Sequence, residues 1–351
     1  MRIPSPASLI FLLLVAGVAT SCESEIPTPD AVHRYADEID LLIPRDAALE
    51  TLATGFTWSE GPLWVADRSM LLFSDVPNNR VYRWTDGDST SVFLDPSGAT
   101  GVRGSDSSSG NSGANGLALL NDGRLLLAQH GDRRIASLRL EQTAPQTFDT
   151  VVDNFEGKRF NSPNDLAVSS SGAIYFTDPP YGLADQDTSA LKEMKWNGVY
   201  RLSPDGDVFL EVDSLSRPNG IALSPDETTL YVSNSEEGNE MIYRYDIAEG
   251  DHLANGRVFF DARGIAASGL PGLPDGMAVD VAGNVFATGP GGVLVLSPEG
   301  LHLGTIRTET ASANCAFGGA DGTELFITAG SRLLRIRTLT RGNGFASPAS
   351  N

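Results

Sequence analysis

Six short phrases in this 351-residue sequence open with an oxygen-bearing side chain and run on into apolar positions. They are Glu60-Gly61-Pro62-Leu63-Trp64, Asn115-Gly116-Leu117-Ala118-Leu119, Asn164-Asp165-Leu166-Ala167-Val168, Asn219-Gly220-Ile221-Ala222-Leu223, Asp275-Gly276-Met277-Ala278-Val279 and Asn314-Cys315-Ala316-Phe317. The leading residues are 55, 49, 55, 56 and 39 positions apart. If they converge, two carboxylates and four amides meet with no lysine, arginine or histidine among them. Buried polar groups need partners and buried charges need compensation. A hard divalent cation supplies both, since carboxylate and amide oxygens are the expected ligands of calcium and the charges of Glu60 and Asp275 balance one such ion. Asn and Asp before Gly also tie turns. That accounts for one or two copies, but poorly for six in register or for Glu60, a weak turn former.

Convergence requires elements that repeat around one axis. Each phrase is followed, 10 to 12 residues on, by a strand-like run: Leu72 to Asp75, Leu125 to Ala128, Ile174 to Thr177, Leu230 to Ser233, Val285 to Thr288 and Leu325 to Thr328. A third run closes each unit, as in Val81-Tyr82-Arg83-Trp84 and Val199-Tyr200-Arg201-Leu202, and turn residues such as Asn121-Asp122-Gly123 join them. The period approaches that of a four-stranded propeller blade. The pattern predicts an all-β fold, a six-bladed β-propeller over residues 46–338, with the first strand of each blade lining a central channel and a metal site on its axis. A β-sandwich would not need the same phrase six times. Residues 339–351 read as a frayed tail.

The balance of 45 acidic against 25 basic side chains, a formal net charge of −20, argues against nucleic acid as a partner. With 37 Gly and 20 Pro, a helical bundle is disfavoured, and two cysteines exclude a disulfide scaffold or a four-thiolate zinc site. Cys315 reads as a buried structural thiol. Residues 1–21 read as a signal peptide, with an apolar run from Ala7 to Ala19 too short to span a bilayer. Ala19-Thr20-Ser21-Cys22 resembles a bacterial lipobox, which makes Cys22 the expected lipidation site; an ordinary signal peptide cut near Ser21 is the alternative. Either way the chain is expected to be exported, in the first case to the cell envelope, at the periplasmic or outer-membrane side of a Gram-negative cell. Its acidic surface leaves the N-terminal lipid as the only membrane attachment. Residues 22–45 read as a tether and lead-in.

Ser59-Glu60-Gly61-Pro62-Leu63-Trp64, Asn161-Ser162-Pro163-Asn164-Asp165-Leu166, Phe176-Thr177-Asp178-Pro179-Pro180-Tyr181-Gly182, Arg217-Pro218-Asn219-Gly220, Leu273-Pro274-Asp275-Gly276-Met277 and Asn314-Cys315-Ala316-Phe317-Gly318-Gly319 together resemble the SMP-30/gluconolactonase/LRE-like family. The resemblance runs over nearly the whole chain after the tether. It implies a six-bladed propeller that holds a divalent cation, usually calcium, with zinc, manganese or magnesium as other candidates, and hydrolyses a small-molecule lactone. Carried over, the ligands are Glu60, Asn164, Asn219 and Asp275. Asn115 and Asn314 are then left to support the ligands or face substrate. Asp275 is the implied catalytic residue, as ligand and proton acceptor, or else it orients a metal-held hydroxide.

Two further residues are candidates for substrate contact. His130 follows the second-blade strand toward the channel mouth, with a structural turn histidine as the alternative. Arg159, just ahead of the Asn164 phrase, suits hydroxyl or carboxylate groups of a sugar lactone, or is a solvated loop arginine. Asp178 and Tyr181 resemble a family segment near the site, without an assignable role. The expected activity is a gluconolactonase-like hydrolase. Phosphotriester hydrolysis at the same cation, or a non-catalytic envelope propeller with a structural cation, are the competing functions, which the fold alone does not separate.

Overall fold

The computed structural model describes Met1 and residues 30–102, 108–141 and 147–345. The remainder of the expected signal peptide and Cys22 lie outside the described residues. Among the described residues, six antiparallel sheets follow one another as the blades of a β-propeller. Blade 1 comprises Ser59–Val65, Met70–Asp75, Arg80–Trp84 and Ser91–Leu94. Blade 2 comprises Ala114–Leu119, Leu125–Gln129, Arg134–Leu138 and Asp149–Val152. Blade 3 comprises Leu166–Val168, Ile174–Asp178, Gly198–Leu202 and Val208–Val212. Blade 4 comprises Pro218–Leu223, Thr229–Asn234, Met241–Ile247 and Leu253–Asp261.

Blade 5, Met277–Val279, Val285–Gly289, Gly292–Leu296 and His302–Arg307, gains a fifth, outer strand from Val32–Arg34. Blade 6 takes its three inner strands from Asn314–Gly318, Glu324–Ala329 and Arg332–Arg337 and its outer strand, Leu49–Thr54, from the other end of the propeller. Leu49 stands opposite Ile336 in that pairing. Strand pairing thus closes the ring.

The middle strands are buried on both faces, which is why they read as apolar runs; Leu125–Gln129 and Val285–Gly289 are buried throughout. Apolar clusters fill the interfaces between successive blades, as where Leu126, Ala128 and Ile135 meet Phe160, Leu166, Phe176 and Tyr200. The interface of blades 5 and 6 also takes in Val32, Ile39, Leu42 and Ile43. The lead-in is therefore packed from Val32 onward, because it carries apolar side chains that this seam can bury. The C-terminal segment is docked as well: Gly342 bridges to Asp280, and the Asn343 N–H donates to Val279 O. Residues 346–351 lie outside the described residues.

Candidate metal and active-site cavity

Local backbone irregularity aims the recurring side chains. In blades 1, 2 and 4 the inner-strand pairing slips between Glu60 and Leu63, Ala114 and Leu117, and Pro218 and Ile221. Each slip falls on a glycine phrase and re-aims the residue before it, as β-bulges do. In blades 3 and 5 the inner strand starts only at Leu166 and Met277, so Asn164 and Asp275 precede it. Glycine is required by close approach: a Cβ on Gly61 (φ +44°) would lie 2.1 Å from Asn115 O, and one on Gly220 2.1 Å from Asp275 O. Second-strand hydroxyls latch successive blades together. Ser74 donates to Asn115 O at 2.8 Å and Thr177 to Asn219 O at 2.7 Å.

Glu60, Asn115, Asn164, Asn219 and Asp275 line one cavity of about 610 Å³, together with Trp58, Tyr181, Ser235 and the segment 269–273. Among the described residues of its lining there is no lysine, arginine or histidine. The Glu60 carboxylate accepts from Gly61 N–H at 3.2 Å and Trp58 Nε1–H at 3.4 Å. Burial, reinforced by the nearby charge of Asp165, nevertheless raises its pKa to about 8. Burial and then the charges of Glu60 and Asp165 push Asp275 well above the usual carboxylate range. The Oδ1 atoms of Asn115 and Asn219 are buried with no protein partner. Buried, mutually repelling carboxylates beside orphaned amide oxygens match the donor chemistry of a hard cation. Among the described residues no three His, Cys, Asp or Glu side chains cluster as a metal site, so such an ion would draw on amides as much as on carboxylates.

The sixth member departs from the ring. Asn314 is absent from the lining of that cavity, and its strand pairs without a bulge, Asn314 opposite Thr328 and Cys315 opposite Ile327. Its side chain stays in the channel wall, Oδ1 accepting from Cys315 N–H at 2.8 Å and Nδ2 donating to Asp165 Oδ2 at 3.4 Å. With Asp165 it lines a separate cavity of about 280 Å³. Asp165 itself went unassigned in the sequence, although an aspartate where most copies have glycine is a visible signal. Burial raises its pKa to about 6.

His130 does not line the large cavity among the described residues. It is fully buried, its ring Nδ1 3.1 Å from Asn111 O, and packed so tightly that a Cβ on Gly182 would come within 2.7 Å of its own Cβ. Burial depresses its pKa to about 4. Arg159 is also absent from that lining. It sits in the short hairpin Asn154–Phe155 with Lys158–Arg159 and donates through Nη2 to Asp132 O at 2.6 Å. Both residues thus anchor loops, His130 the connection that leads into blade 2 and Arg159 the one between blades 2 and 3. Asp178 anchors another loop, accepting the N–H groups of Asn161 and Ser162, each at 2.8 Å, while burial raises its pKa to about 7. Tyr181, by contrast, reaches the cavity. Its hydroxyl is held in the neutral form by burial and by the nearby Asp275. Cys315 is buried, its thiol donating to Phe286 O at 3.2 Å.

Over 349 residues the chain is 41% identical to a gluconolactonase of Zymomonas mobilis, covering 96% of this chain and 94% of that one. Over 272 residues it is 28% identical to the pentonolactonase XacC of Haloferax volcanii, covering 77% of this chain and 80% of that one. A solved gluconolactonase of Xanthomonas campestris superposes with a TM-score of 0.74 at 35% identity, covering 88% of this chain and 94% of the other. The family model described as SMP-30/Gluconolactonase/LRE-like region matches residues 58–331, and the chain belongs to that family.

Proposed function

We propose that this lactone-hydrolysing enzyme depends on a divalent cation and opens a neutral sugar lactone, gluconolactone being the first candidate, to the open-chain hydroxy acid. Similarity to gluconolactonases along nearly the full chain supports the substrate class. One structural observation carries the cation: Glu60 and Asp275 share a buried cavity with the unpartnered oxygens of Asn115 and Asn219. Glu60, Asn164, Asn219 and Asp275 would hold it. An all-oxygen donor set favours calcium over zinc, which ordinarily takes nitrogen or sulfur ligands. Held by those residues, such an ion would supply Lewis-acid polarisation of the lactone carbonyl.

The remaining steps belong to the chain. The Asp275 carboxylate takes the proton of the attacking water, the role of a general base, and returns it to the ring oxygen as the acyl C–O bond breaks, giving the hydroxy acid. Tyr181, kept as a neutral phenol, is a hydrogen-bond donor on the cavity wall. Trp58, Leu270, Pro271 and Leu273 supply an apolar side against which the carbon face of the ring can lie. Export as a lipoprotein modified at Cys22 remains part of the proposal, supported by the Ala7 to Cys22 segment.

The test is a lactone panel assayed on chelator-stripped protein, with calcium, zinc, manganese or magnesium restored singly. Calcium is expected to restore hydrolysis. Equal turnover in the stripped protein would refute cation dependence, and no turnover with any ion would favour a binding propeller. Membrane fractionation after inhibition of lipoprotein signal peptidase checks the lipid anchor.

A further inference from the structure

Of the two unpartnered amide oxygens in the cavity, that of Asn219 has its orientation fixed from behind. Asn219 is 5% exposed, and its Nδ2 donates to Ser235 Oγ at 3.0 Å. The Ser235 hydroxyl proton is committed elsewhere, donated to Pro274 O, the carbonyl of the residue before Asp275. Ser235 Oγ is therefore free only to accept, and only the NH₂ end of Asn219 can face it. The amide oxygen must then point away, which is where it is found without a partner. The same hydroxyl thus ties the ligand-bearing segment of blade 4 to that of blade 5. Its backbone origin is rigid, because the preceding residues are spent on the same loop: Ser233 Oγ accepts from Gly220 N–H at 2.8 Å, and Asn234 Oδ1 from Arg217 N–H at 2.8 Å.

We infer that Ser235 is a positioning residue for the cation site, setting the amide of Asn219 oxygen-first toward the cavity and holding Pro274 so that Asp275 stays beside it. This rests on the cation-dependent reading above. Removing the hydroxyl leaves Asn219 free to turn its NH₂ toward the ion, an arrangement that repels it. Supporting groups of this kind typically change metal affinity by about 10- to 100-fold when lost.

The test is calcium titration calorimetry on the chelator-stripped full chain, comparing wild type, Ser235→Ala, Ser235→Thr, Asn219→Ala and the Ser235→Ala/Asn219→Ala double variant. Ser235→Ala is expected to weaken calcium binding at least about 10-fold, with Ser235→Thr recovering most of the loss. In the Asn219→Ala background the Ser235→Ala change is expected to have much less effect, since its action runs largely through that amide. Thermal unfolding of the metal-free proteins separates position from folding: a merely structural serine would lower the melting temperature and leave calcium affinity intact. Unchanged affinity in Ser235→Ala, or equal losses in both backgrounds, overturns the inference while the cation site stands. Absence of calcium binding in wild type overturns both together.

Discussion

The two cavities along the propeller axis are built from the same six-phrase repeat and have opposite characters. In the larger, burial raises the pKa of both Glu60 and Asp275, that of Asp275 further through the charge of Glu60, and the oxygens of Asn115 and Asn219 have no partner. In the smaller, Asp165 and Asn314 satisfy one another and their own backbone: Asp165 accepts from Leu166 N–H at 2.9 Å, and Asn314 from Cys315 N–H at 2.8 Å. One end keeps amide oxygens without a partner, and the other is closed by hydrogen bonds, although burial also holds its Asp165 carboxylate above the ordinary pKa. Unsatisfied polar groups cost stability unless a ligand completes them. The difference therefore separates side chains of the repeat that keep an unpartnered oxygen from side chains of the same repeat that are tied into the fold.

Asp275→Asn tests the incomplete end and has the largest expected effect. The amide can still donate an oxygen to an ion but cannot accept the water proton, so kcat on a sugar lactone should fall by roughly 10³-fold or more, with a smaller change in KM. Metal-free stability should move the other way. Asp275 is raised above its unfolded pKa, so the ionised group is disfavoured by the fold at neutral pH, and a neutral amide relieves that repulsion. A variant with normal turnover, or a metal-free protein less stable than wild type, would dissolve the contrast between the two ends.

The propeller and five of the six converging side chains were legible in the sequence because both follow from repetition. Each glycine phrase marks a place where neighbouring inner strands nearly touch, and each apolar run marks a strand buried on both faces. Asn314 lines the smaller cavity instead of the large one for a reason that composition does not reveal: unlike Glu60, Asn115 and Asn219, it stands on an inner strand that pairs without a bulge. Arg159 and His130 looked like substrate groups because their types suit the chemistry, yet their partners, Asp132 O and Asn111 O, come from distant loops. Asp165 and Ser235 escaped notice because their meaning lies in contacts between blades.

His130 extends the comparison to a buried loop residue outside the lining of the large cavity. Its Nδ1–H donates to Asn111 O, and its Nε2 is buried with no acceptor to receive a second proton. The folded pKa of about 4 lies below the ordinary value of 6.5, so the unfolded chain binds the extra proton first. This contribution to stability is complete above pH 6.5 and is lost as pH falls toward 4, amounting to roughly 3 kcal/mol across that window. Denaturant titrations at stepped pH should show a shallower acid-side slope for His130→Gln than for wild type. Equal slopes would mean that His130 is not held neutral in the fold.

Asn314→Ala carries the smallest effect and tests the closed end. Losing the side chain removes the acceptor for Cys315 N–H and a donor to Asp165, so stability should drop by about 1 to 2 kcal/mol. Asp165 then loses a hydrogen bond that favours its ionised form, while burial continues to raise its pKa. The variant should therefore take up a proton more readily near neutral pH, easing part of the loss as pH is lowered toward 6. Since Asn314 is not in the lining of the large cavity, calcium affinity and kcat/KM should remain within about threefold of wild type, roughly 0.7 kcal/mol. A loss of turnover comparable to that of Asp275→Asn would place Asn314 with the chemistry after all, and the regular pairing of its strand would no longer distinguish the two ends of the channel.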